Sequence, residues 1–253
     1  MKNTVPQTFP NLIAHRGACK EAPENTLDAF KKAIEIGASG VEFDILLTSD
    51  HELVLTHNND LSILTNHEGF VHSTPYSIIK TLDFGIHFSP DFKNTRAPTL
   101  TEALTLLIPH NMQIICEIKS QPKMAYFSAK NVGEVISDFG FGNRIIISST
   151  DPLVTFHLKR MFPKIKRAVI LKKSGFPFFS FNIFDKYSDV SEFHCSVTML
   201  NKKIVNKIHA KGKKIAAWTV DSAVDLQTCM DLKIDSLITN DVPAINAMIN
   251  KLT

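Results

Sequence analysis

Short runs of β-branched and apolar residues alternate along the whole chain with segments whose apolar positions recur every three or four residues. Runs of the first kind predict strands at Leu12–His15, Gly40–Leu46, Gln113–Ile118, Arg144–Ser148, Ile165–Leu171, Glu192–Cys195, Lys214–Thr219 and Ser236–Thr239. Segments of the second kind predict helices at Asn25–Ile36, Thr99–Ile108, Met124–Asp138, Pro152–Met161, Lys202–Ala210, Ala223–Leu232 and Pro243–Lys251. Thr99 with Glu102 three residues on is a capping-box pattern, and Asp151-Pro152 places proline in a first helical turn. Strands alternating with helices specify an α/β fold, and eight such strands predict a TIM (β/α)8 barrel. The missing helix is expected within 177–187, where the pattern is least clear.

Two stretches break the rhythm. Residues 58–98 stand where a short connection belongs, and they carry Pro75, Pro90 and Pro98 with Phe70, Phe84, Phe88 and Phe92. They predict a small cap or insertion after the second strand. Residues 174–184, SGFPFFSFNIF, hold five phenylalanines. These rings either pack onto the barrel or offer an apolar wall to an alcohol, an acyl group or an interface.

Composition narrows the picture. At 253 residues and 44% hydrophobic content, one domain spanning 1–253 is expected. The formal charge of +3 is small and the basic residues are dispersed, which argues against nucleic acid as a partner. The first ten residues lack the apolar run of a secretory signal, and no stretch reaches membrane-spanning length. Cys19, Cys116, Cys195 and Cys229 are far apart with no CxxC pair, so reduced thiols and a cytoplasmic location are expected.

Charges inside the predicted strands suggest chemistry. Glu42 and Asp44 are two apart, so in a strand their side chains leave the same face, with Val41, Phe43 and Ile45 turned to the helices. Near the end of a barrel strand that face points into the mouth. Neighbouring carboxylates repel unless a cation or proton separates them, and hard oxygen ligands suit Mg²⁺ or Ca²⁺. Glu117 and Lys119 repeat the spacing in another apolar strand. A four-residue hairpin loop at 48–51 would pair position 47 with 52 and 42 with 57, bringing His57 opposite Glu42. His15 and Arg16 close the first strand: a histidine can carry protons, and the arginine fork matches phosphate oxygens. Together these groups read as a phosphoryl-transfer site.

The ordered series His15-Arg16-Gly17, Pro23-Glu24-Asn25-Thr26, Glu42-x-Asp44, His57, Ala97-Pro98-Thr99-Leu100, Glu117-Ile118-Lys119, Ala217-Trp218-Thr219-Val220 and Ile238-Thr239 resembles the signature of the glycerophosphodiester phosphodiesterases. The resemblance implies a TIM barrel with an insertion after its second strand. It implies a divalent cation, Mg²⁺ or Ca²⁺, on Glu42, Asp44 and Glu117, with His15 and His57 as acid and base. Arg16 and Lys119 match phosphate-contacting positions, and Trp218 matches a tryptophan lining the substrate site. The implied reaction converts a small glycerophosphodiester to sn-glycerol 3-phosphate and an alcohol, through attack by water or by the glycerol 2-hydroxyl. The chain departs from the usual pattern at His51, Asn58, Ile63-Leu64, Asp221, Lys233 to Ser236 and Asn240-Asp241. Rival readings are a lysophospholipase D-like activity of the same superfamily and a non-catalytic barrel that only binds.

Overall fold

The structure, a computed structural model, describes residues 9–120, 123–140, 143–172 and 187–251. Its strands are β1 (Asn11–His15), β2 (Gly40–Leu47), β3 (Leu53–Leu55), β4 (Gln113–Ile118), β5 (Ile145–Ser149), β6 (Lys166–Leu171), β7 (Glu192–Ser196), β8 (Lys214–Trp218) and β9 (Ser236–Thr239). Its helices are α1 (Leu27–Glu35), α2 (Tyr76–Ile79), α3 (Leu100–Leu107), α4 (Ala125–Phe139), α5 (Pro152–Met161), α6 (Lys202–His209), α7 (Ala223–Leu232) and α8 (Val242–Asn250). All strands but β3 pair in parallel, and β1 bonds to both β2 and β9, closing an eight-stranded barrel. The strand and helix spans agree with the hydrophobic pattern to within two residues at each end. The eighth helix expected within 177–187 and the phenylalanine-rich stretch 174–184 fall almost wholly outside the described residues.

Side-chain alternation divides the strands as the sequence requires. Val41, Phe43 and Ile45 join the apolar layer under the helices, where the Phe43 ring lies 5.4 Å from that of Phe30 on α1. The opposite faces of the strands put Ile13, Ile115, Ala216 and Ile238 together as a plug inside the barrel, with Trp218 against it. Gly40 makes room for this plug: a Cβ there would stand 2.7 Å from Ile13 Cδ1 and 2.6 Å from the Gln113 carbonyl oxygen. Glu42 and Asp44 follow on the same face of β2, toward the mouth.

The insertion folds over one edge of this barrel. Leu61 and Val71 from its 3₁₀ turns (Leu61–Ile63, Val71–Ser73), Ile79 from α2 and Phe84 from the loop beyond it pack with Leu46 and Val54 in a cluster separate from the main core. At its end Thr99 caps α3 in a complete capping box with Glu102.

One expected register is wrong. Leu47 pairs with Leu53 and Leu46 with Val54, so position 57 does not oppose Glu42. The turn holds an extra residue because the Thr48 amide donates to the Glu52 carbonyl at 3.0 Å and His51 takes up a left-handed φ of 65°. Continued as a strand, this register would aim His57 away from the mouth. The ladder stops at Leu55, however, and β3 shares with β1 a single edge of β2, β1 against residues 40–42 and β3 against 45–47. Running antiparallel, β3 therefore delivers the chain back to where β1 ends.

Candidate active site

The turn after β1 builds the first wall of the site. Arg16 and Gly17 both adopt positive φ, 56° and 81°, and swing the chain off the barrel. Gly17 is required twice over, since a Cβ would also lie 2.7 Å from Ala29 Cβ on α1. The Arg16 amide donates to Glu42 Oε2 at 3.1 Å, and its Nη1 donates to Glu24 Oε2 at 2.9 Å. Asn25, at φ 58°, accepts from the Asp44 amide at 3.0 Å and donates to Asp44 Oδ2 at 3.1 Å. It grips β2 between the segment bonded to β1 and the segment bonded to β3. Thr26 then caps α1 through the Ala29 amide.

Glu42, Asp44 and Glu117 converge, each offering an oxygen within 4.8 Å of the others. Asp44 and Glu117 are register partners on β2 and β4. Lys119 Nζ lies 2.7 Å from Glu117 Oε1 and 3.0 Å from Asp44 Oδ1, while Arg16 Nε stands 3.4 Å from Asp44 Oδ2. Burial pushes the Glu42 carboxyl well above the usual range, and repulsion from Asp44 and Glu117 adds to it. Burial raises Glu117 as well, with Lys119 opposing. Asp44 is different: burial would raise it, but Lys119 and Arg16 outweigh that and hold it below its ordinary value. Two buried acids and the half-buried Glu117, with two nearby cations, one of them divided between Asp44 and Glu24, make an all-oxygen donor set that fits a hard divalent cation.

Two imidazoles face this cluster. His15 Nδ1 is 2.7 Å from Asn240 Oδ1, and His15 Nε2 is 3.8 Å from Glu42 Oε2. The amide orientation of Asn240 is fixed, because its Nδ2 donates to Asp221 Oδ2 at 2.6 Å and a carboxylate only accepts. Asn240 therefore presents oxygen to His15, which carries its proton on Nδ1 and turns the Nε2 lone pair to the mouth. Burial and the neighbouring Arg16 lower the His15 pKa. Burial lowers that of His57 too, with Asp44 pulling the other way. His57 is steadied by Asn58, whose Oδ1 is 3.2 Å from its Nδ1.

These groups line one cavity of about 210 Å³ at the barrel mouth, together with Ser148, Ile170, His194 and Trp218. Residues 15–244 match the model of the glycerophosphoryl diester phosphodiesterase family. The chain belongs to this family. It is 33% identical to a glycerophosphodiester phosphodiesterase of Caldanaerobacter subterraneus subsp. tengcongensis over 95% of this chain and 98% of that one. It is 28% identical to glycerophosphodiester phosphodiesterase 1 of the mouse, over 86% of this chain and 73% of the relative. Among solved structures, an Oleispira antarctica phosphodiesterase in complex with the product sn-glycerol-3-phosphate superposes with a TM-score of 0.88 at 25% identity, covering 96% and 97% of the two chains.

In this family member the structure brings all eight sequence-derived residues to one place. His15, Arg16, Glu42, His57, Glu117, Lys119 and Trp218 line the cavity, and Asp44 lies behind them, 1% exposed. Sequence reasoning missed the residues that hold these in position. Asn25 and Glu24 were visible only as part of a motif, and Asn240 and Asp221 only as departures from one. His194 and Glu192 carried the same two-residue spacing inside an apolar strand that exposed Glu42 and Asp44, and that signal was there to be used.

Proposed function

We propose that the protein hydrolyses a glycerophosphodiester to sn-glycerol 3-phosphate and an alcohol. One observation carries the reading: Glu42, Glu117, Arg16, Lys119 and two imidazoles line a single small cavity, with Asp44 buried behind them, in a chain of this family. Glu42, Asp44 and Glu117 are the residues that would hold Mg²⁺ or Ca²⁺, which when bound supplies positive charge against a non-bridging phosphate oxygen. Arg16 and Lys119 complete the neutralisation of that phosphate, Arg16 with its fork and Lys119 as a point charge. His15, neutral and with Nε2 free at the mouth, takes the proton of the attacking hydroxyl. His57, entering from the β3 side, returns a proton to the leaving alkoxide. Trp218 offers the flat apolar surface for the carbon chain of the substrate.

The reading extends to the rest of the molecule. The barrel is one domain with 58–98 as its insertion, and the four cysteines, all unpaired and three of them buried, support a cytoplasmic setting. Among the described residues no helix is long and apolar enough to cross a membrane.

The test uses two leaving groups. With glycerophosphocholine, His15→Ala and His57→Ala should each lose activity, by about 10²- to 10⁴-fold. With a p-nitrophenyl ester, whose leaving group needs no proton, His57→Ala should recover most of its loss and His15→Ala should not. A reversed pattern would exchange the two roles, and undiminished activity in both would overturn the site. Turnover of lysophosphatidylcholine alone would replace the proposed substrate with a lysophospholipid.

A further inference from the structure

The mouth has a second wall that none of these steps uses. In the closed ring β7 stands diametrically across from β2, and its inner face carries Glu192 and His194, both buried. His194 is 2% exposed and its Nε2 has no hydrogen-bond partner among the described residues. That nitrogen stands 3.5 Å from Glu192 Oε2, a contact that makes no hydrogen bond. On β5, the Oγ of Ser148 is likewise unpartnered among the described residues, and Ser148 is fully buried. Both side chains line the cavity. Buried polar atoms are almost always hydrogen-bonded, so two unpartnered ones in the wall of one cavity point to a ligand group that satisfies them.

The chemistry of this wall differs from that of the other. Acids and cations crowd around β1, β2 and β4, whereas here a hydroxyl and an imidazole stand beside apolar surface, with Lys172 just after β6 and Glu192 behind the imidazole. Ile170 on β6 is in register with His194, and the Trp218 indole donates from Nε1 to the His194 carbonyl oxygen at 3.1 Å, which ties its ring to the same strand. A carbon chain bearing hydroxyls fits such a surface: its C–H face lies on Ile170 and Trp218, and its hydroxyls, which both donate and accept, meet Ser148 and His194.

We infer that Ser148 and His194 form the wall that reads the hydroxyls of the glycerol unit, with Glu192 as the positioning residue behind His194. This rests on the proposed function and names the part of the substrate that the site selects. A phosphate ester without hydroxyls leaves both groups unpaired, as they are in the free protein, and gains nothing from this wall.

Binding of two phosphomonoesters tests the inference without requiring turnover. Titration calorimetry with Mg²⁺ present would compare sn-glycerol 3-phosphate with n-propyl phosphate, which keeps the phosphate and carbon chain and lacks the hydroxyls. Wild-type protein should prefer the glycerol compound, and Ser148→Ala and His194→Gln should each cut that preference about five- to tenfold while leaving the affinity for n-propyl phosphate unchanged. Glu192→Gln should cut it by roughly threefold, since the ring stays but its orientation loosens. A damaged fold would weaken both ligands alike and so would not imitate this result. Variants that keep the wild-type preference overturn the inference, as does a wild type that hydrolyses glycerophosphocholine yet binds the two compounds equally. Wild-type protein that fails to hydrolyse any glycerophosphodiester overturns the proposed function itself.

Discussion

His15 owes its tautomer to a residue 225 positions away in the chain. Asp221 turns the Asn240 amide, Asn240 holds the proton of His15 on Nδ1, and only then does Nε2 present a lone pair to the cavity. Asn240→Leu removes the acceptor at similar size, and kcat should fall by about 10² to 10⁴ while product affinity changes little. An activity assay beside a product titration checks this, and a variant with full kcat would detach Asn240 from the chemistry. The contrast with Glu42, Asp44, Glu117 and Lys119 explains what could be read at this scale. Their two-residue spacing within apolar strands is local, and a period of two is enough to place them on one face. Asn240 and Asp221 sit just after strand ends in loops, where an asparagine or aspartate is ordinary, and nothing local marks them.

At the level of elements, the spans of strands and helices were legible because each buries one face, and burial writes its period into the sequence. The β2–β3 hairpin was not, because parity depends on a single turn residue. His51 holds the left-handed position that makes the loop odd, and a histidine there gives no warning in the sequence. That His57 still reaches the mouth follows from β3 stopping early on an edge it shares with β1. The β1–α1 turn is the most exacting local piece, since Gly17 combines positive φ with close approach to α1. Gly17→Ala should cost about 1–3 kcal/mol of stability and displace the Arg16 amide from Glu42. Urea unfolding measures the cost, and a variant as stable as the wild type would show that α1 can give way.

For the whole molecule, the barrel closes eight strands and leaves two carboxyls, Glu42 and Glu117, held above their ordinary range beside an Asp44 held below it. Burial, Asp44 and Glu117 raise the Glu42 pKa, so protons compete with a cation here up to a higher pH than at an ordinary carboxylate. Cation binding should therefore release protons, and affinity should rise with pH until Glu42 is fully ionised. Calorimetry of Mg²⁺ or Ca²⁺ binding in buffers of different ionisation enthalpy reads the proton count, and a pH-independent affinity would contradict the raised pKa. Stripping the cation should also lower the melting temperature, because binding that favours the folded chain is then lost.

The seam between β1 and β9 gives this architecture a temporal order. Asp44 and Glu117 sit on neighbouring strands, β2 and β4, which can pair before the ring is complete. The partner of His15 follows β9, and the two meet only when Ala14 aligns with Thr239 across the last seam. In a refolding chain the carboxylates can therefore come together before the ring closes, whereas His15 meets Asn240 only on closure. The contact between His15 and Asn240 reports the joined ring, whereas the meeting of Asp44 and Glu117 reports no more than one pair of strands.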